Sequence, residues 1–250
     1  MADSNFSSAF REGTVIIEIG PDRKKYYIHK ALIVHHSEYF RKALQGTWKE
    51  AQEGVVRLED VNHHVMNLFV EWLYTGKIPT EEKDWRRIVE NNKPDTFWRQ
   101  LKYVTLIEAY VFGDRFLIEP FRKQVNNAFS DALESNYFCP SMRYRGIGFA
   151  FANIAAERPI LQLLTDNHCR DWDKIEDQLH AESGLRELAQ AQPSFLLRTM
   201  RRLREMKDQG RKRPLMHLWC YYEHESEGDE KACKKHHMRY NEKLDFGTFE

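Results

Sequence analysis

Near its C-terminal end the chain carries Cys220, His224, Cys233 and His237, a C-x3-H-x8-C-x3-H arrangement in which His236 offers a substitute for the last position. Two thiolates and two imidazoles are a donor set for tetrahedral zinc, and three intervening residues can place both members of a pair on one side of a helical turn. The loop of eight is short for a zinc finger. The competing reading packs Cys220 beside Trp219 and leaves the histidines on a charged surface. A structural zinc is the one cofactor that the residue types nominate. Cys139 and Cys169 lack such partners and read as small buried hydrophobes.

The remaining titratable residues do not assemble into a recognisable catalytic pattern. His29, His35, His36, His63 and His64 lie near Ser37, Glu38 and Asp60 in the chain, but one histidine pair precedes a helix cap and the other begins a helix, as surface residues do. No glycine-rich phosphate loop, nucleophile elbow or two-histidine metal helix accompanies them, so the expectation is a non-catalytic protein. A basic run of Arg198, Arg201, Arg202, Arg204, Lys207, Arg211, Lys212 and Arg213 has two readings. It is a solvated helix face beside the acidic stretch from Glu223 to Glu230, or a nuclear import signal and nucleic-acid patch.

Composition sets the bounds on those readings. With 250 residues and 42% hydrophobic content, the chain can bury one large core or two small ones. Its 38 basic residues balance 38 acidic ones, so no global field draws it to nucleic acid or to an anionic membrane, and any such binding must be local. No basic segment followed by an apolar run opens the sequence, and no window approaches the roughly 18 apolar residues of a membrane span. A cytoplasmic or nuclear location is the expectation, with the four cysteines reduced.

The elements that must position these residues begin with Val15, Ile17 and Ile19, which share one face at the strand period. Gly20-Pro21-Asp22 then turns the chain into a second strand, Tyr26-Tyr27-Ile28. His29-Lys30 opens a helix through Ala31, Leu32 and Ile33. Ser37 is placed to cap the next one, which carries Tyr39, Phe40, Ala43 and Leu44. Val55, Val56 and Leu58 form a short strand, and Asn62 caps a helix whose Met66, Phe69, Val70 and Leu73 recur at the spacing of one buried stripe. Residues 77–95 are polar and turn-rich around a short helix with Trp85, Ile88 and Val89. The segment from Phe97 to Phe112 is apolar on almost every side and predicts a central helix, followed by one led by Pro120 with Phe121, Val125, Ala128 and Phe129 on one face. Residues 147–207 read as helical, with stripes at Phe149, Ile154 and Ala155 and at Phe195, Leu196, Met200 and Leu203.

In combination these pieces resemble the BTB/POZ domain. Tyr26-Tyr27-Ile28-His29-Lys30-Ala31-Leu32 is similar to the family's strand leading into His-Lys and its first helix, and Ser37-Glu38-Tyr39-Phe40 to its Ser-x-x-Phe. Trp48-Lys49-Glu50-Ala51 resembles the loop where fungal members commonly have Phe-Lys-Glu. Leu73-Tyr74-Thr75-Gly76 resembles the helix ending in Tyr-Thr-Gly, and Leu106 through Phe116 a late helix and its turn. Where the family often has an Asp before its first strand, this chain has Gly13-Thr14.

The resemblance implies an α+β fold, a small sheet packed against a cluster of helices, followed by an all-helical extension like that of fungal BTB proteins. The expected organisation is an N-terminal segment at 1–13, a BTB/POZ domain at 14–133 with a variable insertion near 77–95, a helical extension at 134–214 packed on that domain, and a Cys/His-containing charged tail at 215–250. The implied function is protein–protein interaction: self-association, or docking to a partner such as a cullin ubiquitin ligase scaffold, or transcriptional regulation. An apolar surface around Leu32, Ile33, Phe40 and Leu44 is the candidate contact; in a monomer the same residues are core. Only about a dozen residues precede the first strand, with Phe6 and Phe10 spaced for one helical turn, so strand exchange between subunits is not expected. The alternative from another class is a zinc-binding nuclear factor touching nucleic acid through residues 198–237.

Overall fold

The structure, a computed structural model, describes residues 13–91, 97–134, 140–171, 192–210, 220–224 and 226–233. The chain divides into two compact units, residues 1–128 and 129–250.

The first unit is built on a three-stranded sheet of β1 (Thr14–Ile19), β2 (Lys24–His29) and β3 (Val55–Leu58), in the order β2-β1-β3. β1 runs antiparallel to β2, with Thr14 opposite His29 and Ile19 opposite Lys24, and parallel to β3, with Ile16 beside Val55 and Ile19 beside Leu58. Alternation then sorts the two faces. Val15, Ile17, Ile19, Ile28, Val56 and Leu58 are buried on one of them. The other carries a charged stripe in which Glu18 lies 3.2 Å from Arg57 and 3.8 Å from Lys25, its partners across the two ladders.

Among the described residues six helices accompany the sheet: α1 (Lys30–His36), α2 (Glu38–Ala43), α3 (Lys49–Glu53), α4 (His63–Thr75), α5 (Glu82–Ile88) and α6 (Phe97–Arg115), with α7 (Glu119–Glu134) crossing the division. Their ends follow the residues that the sequence offers. Ser37 Oγ accepts from the Phe40 amide at 3.1 Å and Asn62 Oδ1 from the His64 amide at 2.9 Å. Gly76 closes α4 in the left-handed conformation that a side chain disfavours. Phe40, Phe69, Phe112, Phe116 and Phe121 form a continuous aromatic cluster, with Phe40 stacked on Phe116 at 5.2 Å and Phe69 edge-on to Phe121 at 5.3 Å.

The polar appearance of residues 77–95 conceals three core residues. Trp85, Ile88 and Val89 are buried, α5 packs on α4 and α6, and the Trp85 indole donates to the Pro79 carbonyl at 2.7 Å. A chain of side-chain bonds joins this segment to the sheet. Tyr26 Oη donates to Asn67 Oδ1 at 2.7 Å and Asn67 Nδ2 to the Ile88 carbonyl at 2.9 Å. Burial, with the Glu90 charge second, pushes the Tyr26 phenol up to about 12, so it remains a donor there.

The second unit contains α8 (Pro140–Asn153), α9 (Pro159–Asp171) and α10 (Pro193–Asp208), packed on one another. Their buried faces match the expected stripes only in part. On α8 the core residues are Tyr144, Ile147 and Ala150, with Ile154 just past its end also buried as expected, while Phe149 and Ala155 are exposed. On α10 they are Phe195, Thr199, Arg202 and Met206, while Leu196 and Met200 face solvent. The reason lies on α9, where Thr165, Asp166, Asn167 and His168 are all buried and a polar helix face meets a polar partner. Arg202 Nε lies 2.7 Å from Asp166 Oδ1, so the face of α10 turned to this carboxylate carries Arg202 rather than the most apolar stripe. Among the described residues no helix is long and apolar enough to cross a membrane.

Candidate functional site

The short segment 220–224 carries two of the four nominated metal ligands, and it is held in place by the side chains between Cys220 and His224. Tyr221 is buried, and its hydroxyl donates to Asp166 Oδ2 at 2.6 Å, the same carboxylate that pairs with Arg202 and accepts from Gln162 Nε2 at 2.9 Å. The Tyr222 hydroxyl donates to Asp131, and Glu223 lies 3.9 Å from Arg158. Burial raises the Asp166 carboxyl above its ordinary range even though Tyr221, Arg202 and Gln162 pull it down.

A chain reversal then brings a second element back to this segment. Ser226 Oγ accepts from the Asp229 amide at 3.1 Å and opens the helical residues 227–233. Cys233 lies at the end of that turn, and its sulfur comes within 3.5 Å of Cys220 Sγ, while His224 Nε2 lies 3.0 Å from Cys220 Sγ. One ligand atom from each of Cys220, His224 and Cys233 falls within 4.8 Å of the other two, and all three residues are half-buried. Burial first, and Cys220 beside it second, pushes the Cys233 thiol up to about 11. His237, His236 and Trp219 lie outside the described residues, as do Cys139 and Arg211-Lys212-Arg213. Cys169 is buried, and its thiol is pushed up to about 12 by burial and then by the Asp166 charge.

The apolar contact surface expected at Leu32, Ile33, Phe40 and Leu44 requires correction. All four side chains are at most 5% exposed within the single chain. Helical periodicity records burial, and here it recorded the core of the unit rather than a face left for a partner. The exposed large apolar side chains described in this unit are Tyr27, Tyr39, Trp48, Tyr74, Phe97 and Leu117, all but the last aromatic, with Trp48 the most open at 67%. Tyr39 is edge-on to Phe40 and Phe116, at 5.3 and 4.9 Å between ring centres, so one side of its ring is fixed on the core while the residue is 40% exposed. The sequence reading placed Tyr39 on this helix but left it out of the expected surface, because an apolar stripe selects the face turned inward, whereas an exposed aromatic beside a helix cap is the signal that would have found it.

The histidines divide between packing and surface polar contacts. His29 Nδ1 lies 2.8 Å from the Tyr74 hydroxyl, His36 meets the Trp72 ring edge-on at 5.0 Å, and His63 lies against His64 at 4.2 Å. Of the basic run, Arg198 sits over the Phe151 ring and donates to the Ala156 carbonyl, and Arg202 is buried; Arg201 and Arg204 are exposed.

Comparison with known proteins bears on the first unit. Residues 7–92 match the model of the BTB/POZ domain family. Among solved structures, the BTB (Tramtrack and Bric a brac) domain of human Gigaxonin is similar at 15% sequence identity, over 48% of this chain and 80% of that one, with a TM-score of 0.32. The small mixed sheet with its helices is a BTB fold, and a mostly helical region follows it.

Proposed function

We propose, from the BTB/POZ domain at residues 7–92, that this protein works by binding other proteins and by self-association, with exposed aromatic side chains of that domain as its contacts. BTB domains are generally protein–protein interaction and dimerisation modules. The observation that carries the reading to particular residues is the exposure of Tyr39 and Trp48 beside a core in which their apolar neighbours are fully used. Aromatic side chains contribute large rigid area at low entropic cost and are enriched where surfaces meet. Trp48 also stands in the Trp-Lys-Glu loop that resembles the family's Phe-Lys-Glu, which makes a cullin ubiquitin ligase scaffold the heteromeric partner to test first. In this reading the interaction domain spans 14–133, and 134–214 is a helical extension to it.

The test uses the full chain in two measurements. Light scattering across a concentration series reads self-association, and titration against a purified cullin scaffold reads docking. The expected result is a concentration-dependent dimer or a saturable complex that Trp48→Ala or Tyr39→Ala weakens about tenfold or more, as removal of an interface aromatic does. A strictly monomeric chain that neither binds the scaffold nor recovers any partner above a mock bait in affinity purification would overturn the reading. A nucleic-acid role through residues 198–237 would instead appear as retention on DNA that falls steeply with salt.

A further inference from the structure

We propose that Cys220, His224 and Cys233 bind a structural zinc ion, and that this metal fastens the helical residues 227–233 to the anchored segment 220–224.

The first support is the donor geometry. Ligands at about 2.3 Å for sulfur and about 2.0 Å for imidazole nitrogen around a tetrahedral centre stand roughly 3.5 to 3.8 Å apart. The two sulfurs are 3.5 Å apart and the Cys220 sulfur and His224 Nε2 are 3.0 Å apart, so a metal between them requires those two pairs to open by a few tenths of an ångström, with the third pair, Cys233 and His224, within 4.8 Å. Two thiolates and an imidazole are soft and borderline donors, a set that selects zinc over the oxygen-seeking cations magnesium and calcium. Three protein ligands leave one tetrahedral position, and the sequence offers His236 and His237 as the next imidazoles along the chain.

The second support is independent of the ligands: the helix that bears Cys233 has no core of its own. Residues 226–229, 231 and 232 are exposed, and none from 226 to 233 is buried. The seven described helical residues, 227–233, bury no apolar side chain, and one serine cap contributes only about 1 kcal/mol. Segment 220–224, by contrast, is fixed by the burial of Tyr221 and the hydrogen bond from its hydroxyl to Asp166. Cys233 meets segment 220–224 through its sulfur, against the sulfur of Cys220. A pair of neutral thiols is by itself a weak tie between the two segments. Metal ligation, worth on the order of 10 kcal/mol at structural zinc sites, is strong enough.

The anchoring of 220–224 explains why the site would form at one place. Tyr221 and Tyr222 lie between Cys220 and His224 and fix the backbone from which both project, so half of the donor set is held before metal arrives. Binding replaces two thiol protons with the metal, and the completed centre with two thiolates is electrically neutral, which suits its half-buried position.

The experiment is metal analysis of the full chain expressed with added zinc and freed of loose metal by gel filtration. The expected result is about one zinc per chain, falling below about 0.1 in Cys220→Ser and in Cys233→Ser. X-ray absorption at the zinc edge should report two sulfurs at about 2.3 Å with nitrogen or oxygen completing the shell. Because the serine variants could lose metal by unfolding, a second measurement uses wild-type protein alone. Chelation should open a new proteolytic site within 224–234 while fragments covering 13–210 stay intact, and cobalt added to the stripped protein should restore protection with thiolate-to-cobalt charge-transfer absorption. Less than about 0.1 zinc per chain in the wild type, an absorption spectrum with no sulfur shell, or a Cys220–Cys233 disulfide in the freshly purified protein would overturn the proposal.

Discussion

The hydroxyl of Ser37 donates to the main-chain carbonyl of Phe116, 2.6 Å away and 79 residues further along the chain. The same oxygen accepts from the Phe40 amide and so caps α2. One buried side chain therefore starts a helix and ties it to the end of α6, beneath the Phe40–Phe116 stack. Ser37→Ala removes the cap, costing about 1 kcal/mol, and leaves the Phe116 carbonyl without this donor, costing about 1 to 3 kcal/mol more. Urea unfolding should show a loss of about 2 to 4 kcal/mol with an unchanged m-value. A loss below about 0.5 kcal/mol would mean that water or another donor replaces the hydroxyl.

Gly113 is required by a helix approach rather than by its own conformation. A Cβ placed there would lie 2.9 Å from Arg122 Cβ and 3.1 Å from Arg122 Cα and N, and neither backbone nor Cβ can swing aside. In an isolated helix Gly113→Ala would stabilise by about 1 kcal/mol. Here α6 and α7 must separate, so the expected outcome is a net destabilisation of about 1 to 3 kcal/mol, read as a lower thermal midpoint. An unchanged or higher midpoint would show that the two helices move apart at no cost.

Much of the first unit was legible because single-residue signals and burial agree there. Val15, Ile17 and Ile19 alternate and are buried together, Ser37 and Asn62 cap the helices they precede, and Gly76 ends α4 in the left-handed region. The second unit defeated periodicity because its core is partly polar. The stripe through Leu196 and Met200 looks like the buried face of α10, yet Arg202 occupies that place, and nothing in the local sequence says that Asp166 waits 36 residues away. Trp85 was read as part of a short helix in a variable segment, and its burial depends on the packing of α5 against α4 and α6, which spacing cannot supply. The cysteine and histidine spacing was legible as a donor set. The anchoring of Tyr221, which holds half of that set, was not.

Acid should weaken the first unit through its histidines. His64 is lowered from 6.5 to about 4, chiefly by burial and next by the His63 charge, with Glu90 opposing. His36 is lowered by burial and then by His35. For a base whose folded value is depressed, the unfolded chain binds the extra proton, so the stabilisation is fully present above about pH 6.5 and is lost as the pH falls toward about 4. The full shift at His64 corresponds to roughly 3 kcal/mol, and screening of a ring that is partly in solvent reduces this to about 1 to 2 kcal/mol. Denaturant unfolding at pH 7 and pH 5 should show this loss in the wild type and a flatter dependence in the double variant His36→Gln, His64→Gln. Equal slopes in the two proteins would remove these histidines as the cause.

The pair Asp166 and Arg202 yields the last prediction, because the two single removals and the joint removal must differ in a set order. Asp166 is fully buried and receives Tyr221, Gln162 and Arg202, while Arg202 is 7% exposed and also donates to Glu205 at 3.1 Å. Arg202→Met removes the cation and leaves a buried carboxyl with neutral partners, which costs about 3 to 5 kcal/mol when the carboxyl stays ionised. Burial already raises the Asp166 carboxyl, so in that variant it takes up a proton more readily and part of the loss is recovered as the pH is lowered. Asp166→Leu is expected to be at least as damaging, since it removes the buried carboxylate nearest the guanidinium, which cannot discharge and keeps the exposed Glu205, and takes the Asp166 acceptor from the Tyr221 hydroxyl. The double variant Asp166→Leu, Arg202→Met removes both charges in one place and should be less destabilised than the sum of the two by about 2 kcal/mol or more. Unfolding free energies for the four proteins at pH 7, with Arg202→Met repeated near pH 5, complete the cycle. Strict additivity would show that the two side chains do not act on one another, and the burial of Arg202 on α10 would then need another cause.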